Sequence, residues 1–211
     1  MLKLTLDTNS IIDLEQSNEY APDLAKLVEM NRKRRISLRV TAASASERKL
    51  DQKYASSMSE FQDRLAAIGL DGLEILRTIC YADVSFFDYC LLGGGELDVL
   101  ECKIQQILFP KIQLEYRNHC EKHSLKLNDE KAWRIWARAK CDVLSLWSHI
   151  WHKGDIFVTR DNNYHKKTKK PDLIRLGAGD ILRPNVALTR VKNAENLKHN
   201  QKTHRERHMK D

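Results

Sequence analysis

No apolar stretch in this chain is long enough to cross a membrane, because charged residues interrupt each one well short of the ~20 residues a spanning helix needs. The N-terminus opens directly on a strand pattern, Leu2-Lys3-Leu4-Thr5-Leu6, without a charged-then-apolar leader, so a cytoplasmic, membrane-free protein is expected. No CxxC pair occurs. The five cysteines (Cys80, Cys90, Cys102, Cys120, Cys141) are odd in number and sit in apolar or helical contexts, which speaks for reduced, mostly buried thiols rather than a secreted disulfide framework. His119, Cys120 and His123 crowd together, and His149 and His152 flank Trp151, but neither group has the spacing of a tetrahedral zinc site. Gly93-Gly94-Gly95 lacks the Lys-Ser/Thr that completes a phosphate-binding loop and reads as a turn before a helix at Glu96. No serine or cysteine stands in a recognisable nucleophile context.

What is present begins with charge. The chain has 211 residues, 42% hydrophobic and 31% charged, enough for one soluble core, and its net charge of +7 is unevenly spread. Arg32-Lys33-Arg34-Arg35 ends one expected helix, Lys166-Lys167-Thr168-Lys169-Lys170 forms a second run, and the segment from Arg190 to Asp211 is rich in Lys, Arg and His. Such clusters attract phosphates. The plainer reading, solvated faces and a mobile basic tail over 192–211, suits the tail; the Lys166–Lys170 run lies close in sequence to Asp161 and is assigned to a polyanion.

Hydrophobic spacing alternates strands and helices. Strand 2–6 leads to a helix capped by Ser10, then a helix over 22–35 with Pro22 in its first turn. Ile36–Val40 is the second strand, followed by a polar helix carrying Glu47 and a helix from Ser56 to Ile68. Leu73–Leu76 is a third strand, Glu96–Leu108 a helix, and Asp129–Lys153 a long helix stopped by Gly154. Ile156–Thr159 is the fourth strand and Ile181-Leu182 a short edge strand. Trp133, Trp136, Trp147 and Trp151 recur along the long helix at packing intervals. Strands separated by helices imply parallel pairing, hence an α/β fold.

In such a sheet the carboxyl ends of the strands form the ligand crevice. Asp7 ends the first strand and Asp161 follows the fourth; Glu47 follows the second, and Asp142 borders the apolar face of the long helix. Singly, each acid has a plainer role: Asp7 as a helix cap, Asp161 in a turn, Asp142 on an exposed helix face, Glu47 paired with Arg48 or Lys49. Jointly, their order suggests one oxygen-rich site for a hard cation such as Mg²⁺ or Mn²⁺.

The strings Leu-Asp-Thr-Asn-Ser-Ile-Ile-Asp from Leu6 and Phe-Val-Thr-Arg-Asp from Phe157, with Glu47 and Asp142 in order between them, resemble the first, last and two middle motifs of the PIN-domain family of metal-dependent ribonucleases. The resemblance implies a Rossmann-like three-layer α/β/α sandwich: a single nuclease domain over 1–191 with an added helical segment near 80–128, followed by the tail. It implies catalysis by Asp7, Glu47, Asp142 and Asp161. Metal ligation would fall to Asp7, Asp142 and Asp161, with Glu47 as an outer ligand or water-orienting group. Asn9 and Thr159 would fix a neighbouring carboxylate or water at the ion. Lys166, Lys167, Lys169 and Lys170 would meet RNA phosphates. Many relatives are toxins silenced by a cognate antitoxin protein, others process RNA, and many form homodimers. The alternative expectation is the same fold used as a nucleic-acid-binding or partner-binding module without turnover.

Overall fold

The computed structural model describes residues 1–46 and 55–208, with side chains through residue 197. Five parallel strands make the main sheet: β1 (Leu2–Leu6), β2 (Ile36–Thr41), β3 (Glu74–Leu76), β6 (Ile156–Val158) and β7 (Asp180–Leu182), in the order β3-β2-β1-β6-β7. Between β3 and β6 the chain adds a two-stranded parallel sheet, β4 (Thr78–Ile79) with β5 (Cys90–Leu91).

The period-two alternation of the strands sorts their side chains onto two faces. Leu4 and Leu6 of β1, Ile36, Leu38 and Val40 of β2, and Ile156 and Val158 of β6 share one core with α1 (Thr8–Gln16), α2 (Ala21–Arg32), α3 (Met58–Ala67) and the first turns of α9 (Pro184–His208). Phe157 and Ile181 face the other core, built on α4 (Glu96–Leu108), α6 (Glu130–Trp151) and α8 (Lys170–Leu173). Helices on both faces of a parallel sheet give the three-layer α/β/α, Rossmann-like sandwich. Trp136 and Trp147 lie within the second core, and Trp151 stacks on Trp147 at its rim. Among the described residues no helix is long and apolar enough to cross a membrane.

Several expectations change. The cap of α1 is Asp7, whose carboxylate accepts from the Thr8 N–H, because the helix starts at Thr8 and leaves Ser10 inside it. α2 stops at Arg32; Arg34, in a left-handed conformation, turns the chain into β2. Residues Ala42–Ser46 form a 3-10 turn, and Glu47 lies outside the described residues. The segment near 80–128 holds α4 and α5 (Tyr116–His123) but begins with the β4–β5 pair. The cysteines are not all reduced: Cys80 and Cys90 form a disulfide, and Cys102, Cys120 and Cys141 are outside it. The backbone of α9 runs through position 191 to His208, and Glu195 pairs with Arg35.

The end of α6 also differs. Lys153 takes the left-handed turn that stops the helix, while Gly154 answers a close approach: a Cβ there would lie 2.2 Å from the His149 ring. That ring cannot swing away, because Nδ1 meets Thr5 Oγ1 at 2.8 Å and Nε2 meets the Ala178 carbonyl at 2.9 Å. Burial depresses the imidazole to about 4, so it is neutral at pH 7.

Candidate functional site

The strand order reverses between β1 and β6, and at such a switch point the two crossovers leave in opposite directions and open a crevice at the carboxyl edge. Register brings both flanking segments together there. The Asp7 N–H donates to the Val158 carbonyl at 3.0 Å, continuing the β1–β6 ladder by one residue.

Asp7 is buried, 2% exposed, and both of its oxygens accept hydrogen bonds. Oδ1 accepts from the Thr8 N–H at 2.9 Å. Oδ2 accepts from the Thr159 hydroxyl at 2.6 Å and from Asn9 Nδ2 at 2.8 Å. Thr159 Oγ1 in turn accepts from the Asp161 N–H at 3.1 Å, and the Asp161 carboxylate caps α7 (Asn162–His165) by accepting from the Asn163 N–H at 2.8 Å. One hydroxyl therefore joins the two acidic segments. Burial raises the Asp7 carboxyl to about 6, against the pull of the Thr159 and Thr8 hydrogen bonds; the Asp161 charge adds to the rise and Arg160 opposes it.

Asp142 approaches the same edge from the opposite core. It is half-buried on α6, three residues before Ser145, whose hydroxyl lies 3.1 Å from Thr41 Oγ1 at the end of β2. Thr41 meets Ser44 at 3.3 Å, and Thr8 donates to Ser44 at 2.9 Å. These four buried hydroxyls tie the ends of β1 and β2 to the turn of α6 that follows Asp142. The Tyr164 hydroxyl donates to the Asp142 carbonyl at 2.8 Å, fastening α7 to the same turn.

The expected residues thus separate into three groups. Asp7, Asn9, Thr159 and Asp161 are linked directly, and Asp142 is tied to the same edge through its helix. Glu47 lies outside the described residues. Of the lysines, Lys166 and Lys167 are exposed and Lys170 is half-buried at the start of α8, but Lys169 turns inward. Its ammonium donates to the Leu108 carbonyl and to Asn163 Oδ1, and burial lowers its pKa, with Lys166 adding to the fall and Asp161 opposing it.

Other residues enter that motif reading passed over. Asp13, one turn beyond Asn9 on α1, is buried and pairs with Arg160 at 3.0 Å, which fixes that guanidinium beside Asp7. The i,i+4 spacing of Asn9 and Asp13 was the available signal. His165 Nε2 meets the Thr159 carbonyl at 2.9 Å.

Does this donor set suit a hard cation? Its members are oxygens, which Mg²⁺ and Mn²⁺ prefer. Asn9 Oδ1 is buried without a hydrogen-bond partner, and a buried acceptor of that kind is stabilised by a cation. The raised Asp7 carboxyl would likewise gain from a positive charge. Against this, among the described residues no three His, Cys, Asp or Glu side chains gather closely enough to hold an ion. A scan of protein-family models finds no match to this chain, and neither the curated proteins nor the solved structures hold a significant match.

Proposed function

We propose that this protein is a metal-dependent endoribonuclease of the PIN-like kind, acting on RNA. The observation that carries the reading is the buried Asp7 carboxylate at the switch point, joined through Thr159 to the Asp161 segment, with the orphaned Asn9 Oδ1 beside it. Asp7, Asp142 and Asp161 are the residues to hold Mg²⁺ or Mn²⁺, Asn9 contributes its free oxygen, and Glu47 orients the attacking water. A divalent ion supplies positive charge to a scissile phosphate and lowers the pKa of water. Hydrolysis adds water across the P–O3′ bond and leaves a 5′-phosphate and a 3′-hydroxyl.

The chain's own residues have separate tasks. Thr159 and Asn9 hold the Asp7 oxygens in one orientation. The Asp13–Arg160 pair keeps a cation at the rim. Lys166, Lys167 and Lys170 are set to draw the RNA backbone, and Lys169 instead braces the α7–α8 connection against α4. The Cys80–Cys90 bond is uncommon in a reducing compartment.

Calorimetric titration of Mn²⁺ into the wild type and Asp7→Asn tests the reading, together with cleavage of a single-stranded RNA. Binding should be lost and cleavage should fall by orders of magnitude in the variant. Equal Mn²⁺ binding by the two proteins would remove Asp7 from the ligand set. The second reading, a binding module without turnover, is favoured by the lack of a gathered three-residue cluster among the described residues. It prevails if the wild type binds RNA and cleaves it no faster than Asp161→Asn does.

A further inference from the structure

A cleft of about 270 Å³ lies between α6 and the loop that the Cys80–Cys90 disulfide closes. Asp83, Val84, Ser85 and Phe86, all within that closed loop, form one wall, and Trp133, Ala137 and Cys141 of α6 form the other. The cleft stands next to the candidate site along the chain: Cys141 directly precedes Asp142, and Ser46, at the cleft's third side, directly precedes Glu47.

Its walls are held in place by contacts that do not need a ligand. Trp133 packs edge-on to Tyr116, with centroids 4.9 Å apart, and against Trp136 at 5.3 Å. The loop is pinned by the disulfide and by Ser85, whose hydroxyl donates to the Ile79 carbonyl at 2.8 Å and accepts from the Tyr81 N–H at 3.2 Å. Asp83 sits at the loop's bend in a left-handed conformation, φ 61°, exposed and without a side-chain hydrogen bond or ion pair among the described residues. A preformed slot with two aromatic side chains and one unengaged carboxylate matches a flat heteroaromatic ring that carries an exocyclic amino group on its edge.

We propose that this cleft is a nucleobase subsite, in which one base of the RNA lies against Phe86 and Trp133 and gives an exocyclic amino hydrogen to the Asp83 carboxylate. The proposal rests on RNA being the ligand and extends that reading to base selection. Adenine, cytosine and guanine carry such an amine and uracil does not, and carboxylates read it by accepting from it. Stacking on an aromatic side chain is tolerant of base identity, so Trp133 supplies affinity and Asp83 supplies the discrimination against uridine.

The test is equilibrium binding of the full chain to the pentanucleotides C5, A5 and U5 at fixed salt, with EDTA present so that no divalent ion takes part. U5 should bind roughly tenfold more weakly than C5 and A5, a discrimination of ordinary size for one base-edge hydrogen-bonding group. Asp83→Ala, which removes the acceptor, should shrink that ratio below about threefold, and Trp133→Leu should weaken all three ligands by roughly tenfold. Trp133→Phe, which keeps a ring in the slot, guards against misfolding of the leucine variant and should bind within a few-fold of wild type. Equal affinity for C5, A5 and U5, or a preference untouched by Asp83→Ala, overturns the subsite. Because no metal is needed, loss of the nuclease reading would leave these ratios standing, and loss of the ratios with cleavage intact would leave the nuclease reading standing.

Discussion

At the scale of single residues, two buried ionisable side chains respond to pH in opposite directions. Asp7 has its folded pKa raised from 3.8 to about 6, so the folded chain is favoured below pH 4 and loses that advantage as pH rises through 6. His149 has its folded pKa lowered from 6.5 to about 4, so its neutral form favours the folded chain above pH 6.5 and that advantage drains away as pH falls towards 4. Each shift corresponds to roughly 3 kcal/mol, and between pH 4 and 6 they offset one another. In urea denaturation of the metal-free protein these two contributions should therefore largely cancel across that window, and removing either one should expose the slope of the other. Asp7→Asn, which keeps a capping side chain, should be more stable than wild type by about 1–2 kcal/mol at pH 7, with the gain vanishing near pH 4 and the His149 slope exposed. An unchanged pH profile in the variant would show that the Asp7 carboxyl titrates normally. The position of Asp7 was legible in sequence, because an alternating run that ends in Asp before a helical pattern fixes a carboxylate at a strand end. Its burial was not, nor the inward turn of Lys169, since both depend on neighbours more than 60 residues away.

At the scale of elements, joints matter more than spans. The α6–β6 joint depends on Gly154 because the His149 ring occupies the space a side chain would need. Gly154→Ala should cost about 1–3 kcal/mol in chemical denaturation, the usual penalty of overpacking, and His149→Ala should relieve it in the double variant. Additive losses would mean that the ring is not the obstacle. The β4–β5 joint depends on a covalent bond. Opening the Cys80–Cys90 bond with a dithiol should lower stability by roughly 2–3 kcal/mol for a loop of this length, and it should admit protease between residues 80 and 90. Cys80→Ser should match the reduced protein, and a wild type indifferent to the dithiol would mean the thiols are unpaired in solution. Most helix and strand positions followed from apolar spacing, as with α4 and α6. The β4–β5 pair did not, because a strand of two residues carries no period to read. Pairing among five cysteines was equally silent, although the ten-residue separation of Cys80 and Cys90 suits a local bridge.

For the whole molecule, the topology decides which distant segments become neighbours. Strand alternation was enough to anticipate parallel pairing and thus a crevice at the carboxyl edge. It could not reveal the chain of hydroxyls from Thr8 through Ser44 and Thr41 to Ser145, whose contacts reach across as many as 104 residues and whose members look like any other serine or threonine in the sequence. β1 lies in the middle of the sheet, and its neighbour β6 is added to the chain long after it.

That arrangement has a bearing on timing. The Thr159 hydroxyl that orients Asp7 lies 152 residues downstream of it. During translation at about 5–20 residues per second, the first carboxylate waits roughly 8–30 s for its companion to be added. Until β6 emerges and slots beside β1, the growing polypeptide holds the parts of the crevice without the crevice. Whatever the crevice binds, it can bind only after β6 has joined β1.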